Sequence, residues 1–350
     1  MDKDEIIGFE ALYNSMMKCK RGVRWKGTTG YYLHHWPTEL EKLARELASG
    51  KYKQKNPKFF TVTEPKRREI MSIHFRDRIF QRSLNDVALY PQTTKSFIND
   101  NYACQKGKGT DPARNRLISF LRSYYRKYGS KGYVLKIDIK GYYPNMNRRF
   151  AEGMLKEYVD DESYRIAEIV LSAFPGETGY NPGSQIVQII GITALDKIDH
   201  FIKEQLRVKY YIRYMDDFIL VHHDEAFLNH CLEEITAKLA AQDMRLNESK
   251  TRVTPLDKGI VFLGHVYRIS DTGKVYVVPD PAKIKHEKKK LRRMIALMRQ
   301  GKLTRHDIDR HFKGFKASIR YGNTHKLIQN LNKWYEAEML KGGIENGRNC

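Results

Sequence analysis

The stretch that decides the fold lies between residues 208 and 221 and reads VKYYIRYMDDFILV. Two runs rich in β-branched and aromatic residues flank the adjacent acids Asp216 and Asp217. This pattern predicts a β-hairpin that carries two carboxylates on its turn. The alternative interpretation is an ordinary solvated turn, in which aspartate is a common residue. Adjacent carboxylates repel each other, however, and a cation between them relieves that repulsion. We therefore interpret the pair as part of a cation site.

A third acid lies upstream, in the segment GYVLKIDIKGYYP that spans residues 132–144. Asp138 stands there among apolar residues typical of a core strand, and burying an unpaired carboxylate costs on the order of several kcal/mol. Together with Asp216 and Asp217 it makes an oxygen-only ligand set suited to Mg²⁺, with Mn²⁺ as an alternative. Two such ions about 4 Å apart can activate an attacking hydroxyl and stabilise a leaving pyrophosphate.

Four features resemble, in order and spacing, the palm motifs of reverse transcriptases: Asp138 with Tyr143, the box Tyr214-Met215-Asp216-Asp217, Lys250, and Phe262-Leu263-Gly264-His265. The resemblance implies an α+β right-hand polymerase with fingers, a palm of antiparallel sheet backed by helices, and a short helical thumb. It also implies an RNA-directed DNA polymerase that makes cDNA by two-metal nucleotidyl transfer. The chain looks most like the polymerases of bacterial diversity-generating retroelements, which are related to group II intron, retron and antiphage-defence enzymes.

The resemblance also assigns roles to individual residues. It implies catalysis by Asp138, Asp216, Asp217 and Lys250. In that role Lys250 is a general acid, and the alternative is that it is an ordinary surface charge. It implies metal contacts at Asp138, Ile139, Asp216 and Asp217. It implies nucleotide contacts at Lys66, Arg68, Tyr143, Gly183 and Gln188, with Tyr143 as a steric gate against a 2′-hydroxyl or else a core aromatic. It implies nucleic-acid contacts at Lys106, Lys108, Tyr214, Met215, Leu263, Gly264, Lys289 and Arg292.

One position departs from the retroelement pattern. Polymerases of that subset carry Gly, three further residues, then Ser-Gln at the start of a helix. This chain keeps Gly183 and Gln188 but has Val187 where the subset has serine. The final glutamine therefore favours the subset, and the missing hydroxyl does not.

The charge indicates the class of partner. The chain has 350 residues, and 63 Lys and Arg against 41 Asp and Glu leave a formal net charge of +22. Such an excess points to a polyanion, although a merely basic surface is the plain alternative. Basic residues cluster with aromatics, as nucleic-acid binders require, at residues 122–128 and again at residues 18–36. We expect structured template RNA, RNA/DNA duplex and dNTP as partners, and the resemblance adds a small basic accessory protein.

The sequence also indicates the cellular compartment in which we expect the protein. It has no apolar run of about 18 residues, so we expect no membrane span. Its first residues lack the basic start and apolar stretch of a signal peptide. Its four cysteines are scattered without disulfide or metal spacing, which suits a reducing compartment and a cytoplasmic location. The basic amphipathic helix expected at residues 284–298 resembles a thumb, with a membrane-surface helix as the alternative.

The expected organisation follows the polymerase order. Residues 1–60 are a helical extension, residues 61–130 fingers, residues 131–278 palm with a fingers-like insertion around residues 150–180, residues 279–341 thumb, and residues 342–350 a flexible tail. Two functions compete with the retroelement polymerase. One is an antiphage-defence reverse transcriptase acting on a dedicated non-coding RNA, and the other is a catalytically silent RNA-binding scaffold.

Overall fold

The computed structural model describes residues 2–64, 67–174 and 176–341. Lys66 and the expected tail at residues 342–350 lie outside the described residues. The chain divides into two compact units. The first unit comprises Met1–Ala113, Leu135–Leu220 and Ala226–Arg252, and the second comprises Arg114–Val134, Val221–Glu225 and Val253–Cys350.

The first unit opens with helices that bury one apolar face each. In the last of these helices, Leu40, Leu43 and Leu47 are buried at helical spacing, and Gly50 follows the helix with a positive φ of 69°. The helices of this segment are α1 (Lys3–Ile7), α2 (Phe9–Cys19), α3 (Gly27–His34) and α4 (Trp36–Ala48).

Two strands follow these helices, β1 (Lys58–Val62) and β2 (Arg68–Ser72), and they pair antiparallel with Phe60 opposite Ile70. Downstream elements of the described chain are mostly helical and begin with a helix that continues into a π-helical segment. They are α5 (Phe75–Ser83), the π-helical segment Leu84–Leu89, α6 (Tyr90–Thr93) and α7 (Thr110–Tyr128).

The sheet that carries the acids has the strand order β4-β5-β3-β6 within the described residues. Because β5 and β3 are neighbours, Asp217 at the start of β5 and Asp138 at the end of β3 lie on adjacent strands. The strands are β3 (Tyr133–Asp138), β4 (Tyr210–Tyr214), β5 (Asp217–His222) and β6 (Arg252–Pro255). The helices between them are α8 (Arg148–Tyr158), α9 (Asp161–Leu171), α10 (Gln185–Thr193), α11 (Asp196–His200) with the π-helical segment Phe201–Gln205, and α12 (Glu225–Ala240).

The second unit contains an antiparallel sheet of order β7-β8-β9, where β7 is Ile260–Phe262, β8 is His265–Ile269 and β9 is Val275–Pro279. Between β7 and β8, Leu263 and Gly264 both adopt positive φ and form a tight turn. A 3₁₀ turn, Leu256–Lys258, precedes this sheet.

The basic C-terminal region of the described chain is helical, as expected. Leu291, Ile295, Phe312, Leu331 and Tyr335 belong to one buried apolar cluster, so three helices share a core. They are α13 (Pro281–Arg299), α14 (Arg305–Ser318) and α15 (His325–Leu340).

The fold class expected from the sequence is confirmed: helices and antiparallel sheets occur together in an α+β protein. None of the described helices is both long enough and apolar enough to span a bilayer.

Candidate active site

The predicted hairpin is present, and its turn is backbone-strained. Met215 lies between β4 and β5 with a φ of 56°, a left-handed conformation that costs a non-glycine residue about 1–2 kcal/mol. Two contacts hold it: Arg213 Nη1 donates to the Met215 carbonyl oxygen at 3.0 Å, and the Tyr143 hydroxyl lies 3.7 Å from Met215 Sδ. These two contacts therefore stabilise the conformation of the turn that carries Asp216.

Arg213 in turn belongs to a buried ion pair. Its Nε and Nη2 donate to the two Asp199 carboxylate oxygens at 2.7 and 2.6 Å, and both side chains are fully buried. The Tyr211 hydroxyl donates to Asp199 at 2.5 Å, and Arg213 Nη2 also reaches the Ile192 carbonyl oxygen at 3.1 Å. This network connects the acidic turn to helix α10 and to the segment after it.

Asp138 is held by the loop that follows α12. Lys250 Nζ lies 2.6 Å from one Asp138 carboxylate oxygen and 2.9 Å from the other. Asn247 Nδ2 donates to the carboxylate at 3.0 Å, and the Asp138 backbone N–H donates to Thr251 Oγ1 at 3.2 Å. The charge of this strand aspartate is thus neutralised within the chain, as the cost of burying it requires.

Asp217 has a cation on its own sheet. Lys136 Nζ lies 3.2 Å from Asp217 Oδ1. That oxygen is buried and receives no hydrogen bond of good geometry from any described residue, so the ammonium group gives only partial compensation. Burial raises the pKa of Asp217 to about 6, Lys136 acts to lower it, and the nearby charges of Asp216 and Asp138 raise it again.

Asp216 is part of the same electrostatic group. Burial raises its pKa, its own backbone N–H lowers it, the charge of Asp138 raises it, and the charges of Lys250 and Arg68 lower it. Each of the three aspartates therefore lies within electrostatic range of the others. Arg68, at the start of β2, reaches the same site with its positive charge, although its side chain is exposed.

These residues fit a hard divalent cation chemically. The donor set is three carboxylates, two of them with raised pKa values, and one buried oxygen lacks a proper donor. Within the described ranges, no three acidic, histidine or cysteine side chains form a ready-made metal-binding group. At Asp138, Lys250 and Asn247 contact the carboxylate directly. A metal ion bound there must compete with the Lys250 ammonium group.

Tyr143 lies under the turn. Besides its contact with Met215, it packs against Gly191 of α10, where a Cβ atom would lie 2.5 Å from the Tyr143 hydroxyl oxygen. The neighbouring Tyr142 hydroxyl donates to the Gly191 carbonyl oxygen at 2.5 Å. Burial raises the pKa of Tyr143, so the phenol stays neutral. The residue expected to be the steric gate therefore has its position set by α10.

The other residues expected to bind nucleotide lie in different settings. Gly183 is exposed, and its close backbone approach is to the hairpin: a Cβ atom would lie 2.2 Å from the Met71 carbonyl oxygen of β2. Gln188 is exposed on α10, whereas Val187 is buried. Ile139, which was expected to contact the metal, follows Asp138 in the chain and is buried. It forms an isolated antiparallel β-bridge with Leu246.

The loop at residues 101–110, which contains Lys106 and Lys108 between glycines, is stabilised by contacts within the protein. Lys108 Nζ donates to the Asn99 and Asn101 carbonyl oxygens, both at 2.9 Å, and burial lowers its pKa. The Lys106 backbone N–H donates to the Tyr90 hydroxyl at 2.7 Å, and its ammonium group lies over the Tyr90 ring. Lys108 thus serves the loop's structure in this conformation, while Lys106 is more open to solvent.

The expected nucleic-acid contacts of the second unit are spread over two elements. Leu263 accepts a hydrogen bond from Arg114 Nη2 at 2.8 Å in the tight turn that also contains Gly264. On α13, Lys289 and Arg292 are both exposed, and Arg292 also lies over the Trp334 ring and 3.3 Å from Glu338.

Several residues of the site were not found from the sequence. Lys136 precedes Asp138 by two positions on a strand, so the period-2 rule places both on one face and could have identified it. Arg213 is a charged residue inside an apolar strand, which signals a buried partner. Asn247 and Gly191 carry no comparable signal, because their roles depend on contacts between distant segments.

A carboxylate-bearing strand beside a carboxylate-bearing hairpin, inside an α+β fold, defines a protein with a candidate divalent-metal site of the palm type. Residues 54–267, more than half of the chain, match the family described as Reverse transcriptase (RNA-dependent DNA polymerase). The chain belongs to this family. Its members generally use divalent metal ions, typically Mg²⁺. No curated protein sequence matches the chain.

Among solved structures, the chain is similar to telomerases. It is 13% identical to apo telomerase from Candida tropicalis truncated from its C-terminal domain, with a TM-score of 0.49, covering 64% of this chain and 55% of that one. It is 12% identical to telomerase from Candida albicans in complex with a TWJ fragment of telomeric RNA, with a TM-score of 0.48, covering 88% of this chain and 64% of that one. The chain spans less than two thirds of either telomerase.

Proposed function

We propose that the chain is an RNA-directed DNA polymerase that makes cDNA from an RNA template by nucleotidyl transfer. The observation that carries the proposal is the placement of Asp138 at the end of β3 and of Asp217, next to Asp216 of the hairpin turn, at the start of the adjacent strand β5. A scaffold that only binds RNA gains nothing from three coupled carboxylates, because their ionised forms repel one another and resist burial.

In this proposal Asp138, Asp216, Asp217 and the Ile139 backbone hold two Mg²⁺ ions, with Mn²⁺ as an alternative. Such ions, when bound, supply charge that activates a primer 3′-hydroxyl and stabilises a leaving pyrophosphate. The braced Met215 turn keeps the hairpin carboxylates in fixed positions, which limits reorganisation during the reaction. Lys250, released from Asp138, protonates the leaving pyrophosphate.

The chain's other residues orient the substrates. Arg68 already acts on Asp216, and with Lys66 it neutralises the triphosphate of a dNTP, for which a guanidinium fork is suited. Tyr143, Gly183 and Gln188 complete the nucleotide contacts, and the Tyr143 ring excludes a 2′-hydroxyl.

The template and the duplex contact both units in this proposal. In the first unit the contacts come from Lys106, Lys108, Tyr214 and Met215, and in the second from Leu263, Gly264, Lys289 and Arg292. Since Lys108 is tied to backbone carbonyl oxygens, its contribution is to hold the loop in the shape that presents Lys106. The net charge of +22 supports a large polyanionic partner.

The proposed setting is a diversity-generating retroelement in the cytoplasm, with a structured RNA and a small basic accessory protein. Gln188 supports this setting, and Val187 is accommodated because its position is buried among apolar residues. A dedicated defence RNA is the competing template. Sequencing the RNA that copurifies and the cDNA made from it separates the two: scattered substitutions at adenines favour the retroelement, and faithful repeated copies favour defence.

Primer extension on an RNA template with Mg²⁺ and dNTP tests the activity. Asp216→Asn removes one charge from the acidic group and should abolish incorporation while RNA binding persists. Asp257→Asn is the matched control, since Asp257 is exposed and lies outside this group. Full incorporation by Asp216→Asn would refute the proposed role, and RNA binding by the wild-type chain without any Mg²⁺-dependent extension would favour the silent scaffold.

A further inference from the structure

The helices before the family-matched region contain a cleft that the polymerase site does not use. It has a volume of about 370 Å³, within the range of roughly 300–1,000 Å³ typical of ligand pockets. The aromatic side chains Tyr13 and Trp36 line it, with ring centroids 5.0 Å apart, together with two methionines and a leucine. Lys20 and Arg24 complete its wall. An apolar, aromatic floor thus meets two cations.

Neither cation is neutralised by the protein. Within the described ranges, Lys20 and Arg24 form no ion pair, and Lys20 Nζ contacts only the thioether sulfur of Met17, at 2.7 Å. Residues 11–38 contain five Lys or Arg and no Asp or Glu. The positive potential of this surface therefore remains available to an anion from outside.

Large aromatic side chains are exposed at positions close in sequence to the cleft residues Arg24 and Leu33. Trp25 is 80% exposed and Tyr31 63% exposed. Two contacts fix the orientation of the Trp25 indole: its Nε1 donates to the Gly22 carbonyl oxygen at 3.1 Å, and Lys26 Nζ lies 5.5 Å from the ring centre. The Tyr31 ring packs against His35 with centroids 4.5 Å apart. Fixed, exposed aromatic rings among cations are the platforms on which unpaired bases stack.

We infer that this surface, formed by the cleft together with Trp25 and Tyr31, binds an unpaired stretch of RNA. One base enters the cleft and packs against the exposed side of the Tyr13 and Trp36 ring pair, its flanking phosphates contact Lys20 and Arg24, and a neighbouring base stacks on Trp25. The choice of RNA as partner rests on the proposed function. The surface precedes residue 54, where the family match begins, so it adds an RNA contact separate from the residues of the polymerase site.

The test uses the full chain and a fluorescein-labelled oligouridylate, with binding followed by fluorescence anisotropy. Trp25→Ala should weaken binding about tenfold, in line with the loss of one stacked base. Lys20→Gln combined with Arg24→Gln should reduce the slope of log affinity against log salt by about 1.4, because each phosphate contact of a single strand contributes roughly 0.7. Lys51→Gln combined with Lys53→Gln, two exposed lysines of the same unit, is the matched control and should leave affinity and slope close to wild type.

The outcomes are separable from those of the polymerase test. Extension of a short preannealed primer–template should be unchanged in the Trp25 and Lys20/Arg24 variants, because these residues lie outside the acidic site. Equal oligouridylate binding by these variants and the control would overturn the inference. Competition by UMP as strong as that by unlabelled oligouridylate would also overturn it. So would a result in which the Trp25 and Lys20/Arg24 variants lose binding to anionic vesicles but bind oligouridylate as the wild type does. If the wild-type chain extends no primer, the proposed function fails, yet the anisotropy result still decides this surface.

Discussion

The contact between Gly191 and Tyr143 makes one strong prediction about nucleotide selection. In Gly191→Ala the new methyl group would lie 2.5 Å from the Tyr143 hydroxyl oxygen and 2.8 Å from a ring carbon. An ordinary contact needs about 3.5–4.0 Å. The Tyr143 ring or helix α10 must therefore move by about 1 Å, since no smaller shift restores van der Waals distance.

The expected cost falls on catalysis more than on stability. Replacing glycine by alanine inside a helix gains about 1 kcal/mol, while overpacking costs roughly 1–3 kcal/mol. The free energy of unfolding should thus fall by at most about 2 kcal/mol. A misplacement of about 1 Å at a substrate-positioning side chain can cost about a hundredfold in rate. We expect kcat/KM for dNTP to fall by that order while the chain stays folded.

A double-mutant cycle isolates the contact. Single-nucleotide extension is measured for wild type, Gly191→Ala, Tyr143→Ala and the double variant, with dNTP and rNTP in separate reactions. In the Tyr143→Ala background the clashing atoms are gone, so Gly191→Ala should change kcat/KM by no more than about twofold, the scatter of independent sites. The same large loss in both backgrounds would refute the reasoning.

Three further predictions follow from other contacts. Tyr143→Ala should raise rNTP incorporation relative to dNTP, and an unchanged ratio in extension assays would leave Tyr143 as a core aromatic. Arg213→Met leaves Asp199 buried without its partner and should cost about 3–5 kcal/mol in urea unfolding, part of which a second change, Asp199→Leu, should recover. Burial raises the pKa of Asp77, so its contribution to stability is greatest below its unfolded pKa of about 3.9 and is lost as pH rises through the raised native value. Asp77→Asn should lack that loss when unfolding is measured across pH.

Local patterns in the sequence account for much of the fold. The β-branched and aromatic runs around the paired acids were enough to predict the hairpin, and the amphipathic pattern of residues 284–298 was enough to predict α13. These predictions succeed because period-2 and period-3.6 burial are properties of short segments. The tight turn at Leu263 and Gly264 could not be predicted in this way, because a positive φ is rare for leucine and leaves no sequence signal.

The sequence by itself determined that one acid would stand on a core strand and two more on the turn of a hairpin, in an α+β protein with a strongly positive charge. Only the tertiary structure decided how those acids are compensated. Lys250 and Asn247 reach Asp138 from a loop more than a hundred residues away, and Arg213 braces the Met215 turn through Asp199. Such partners are selected by distance in the folded chain, and the energy of an ion pair depends on that distance and on burial. Neither quantity exists until the strands and helices have packed.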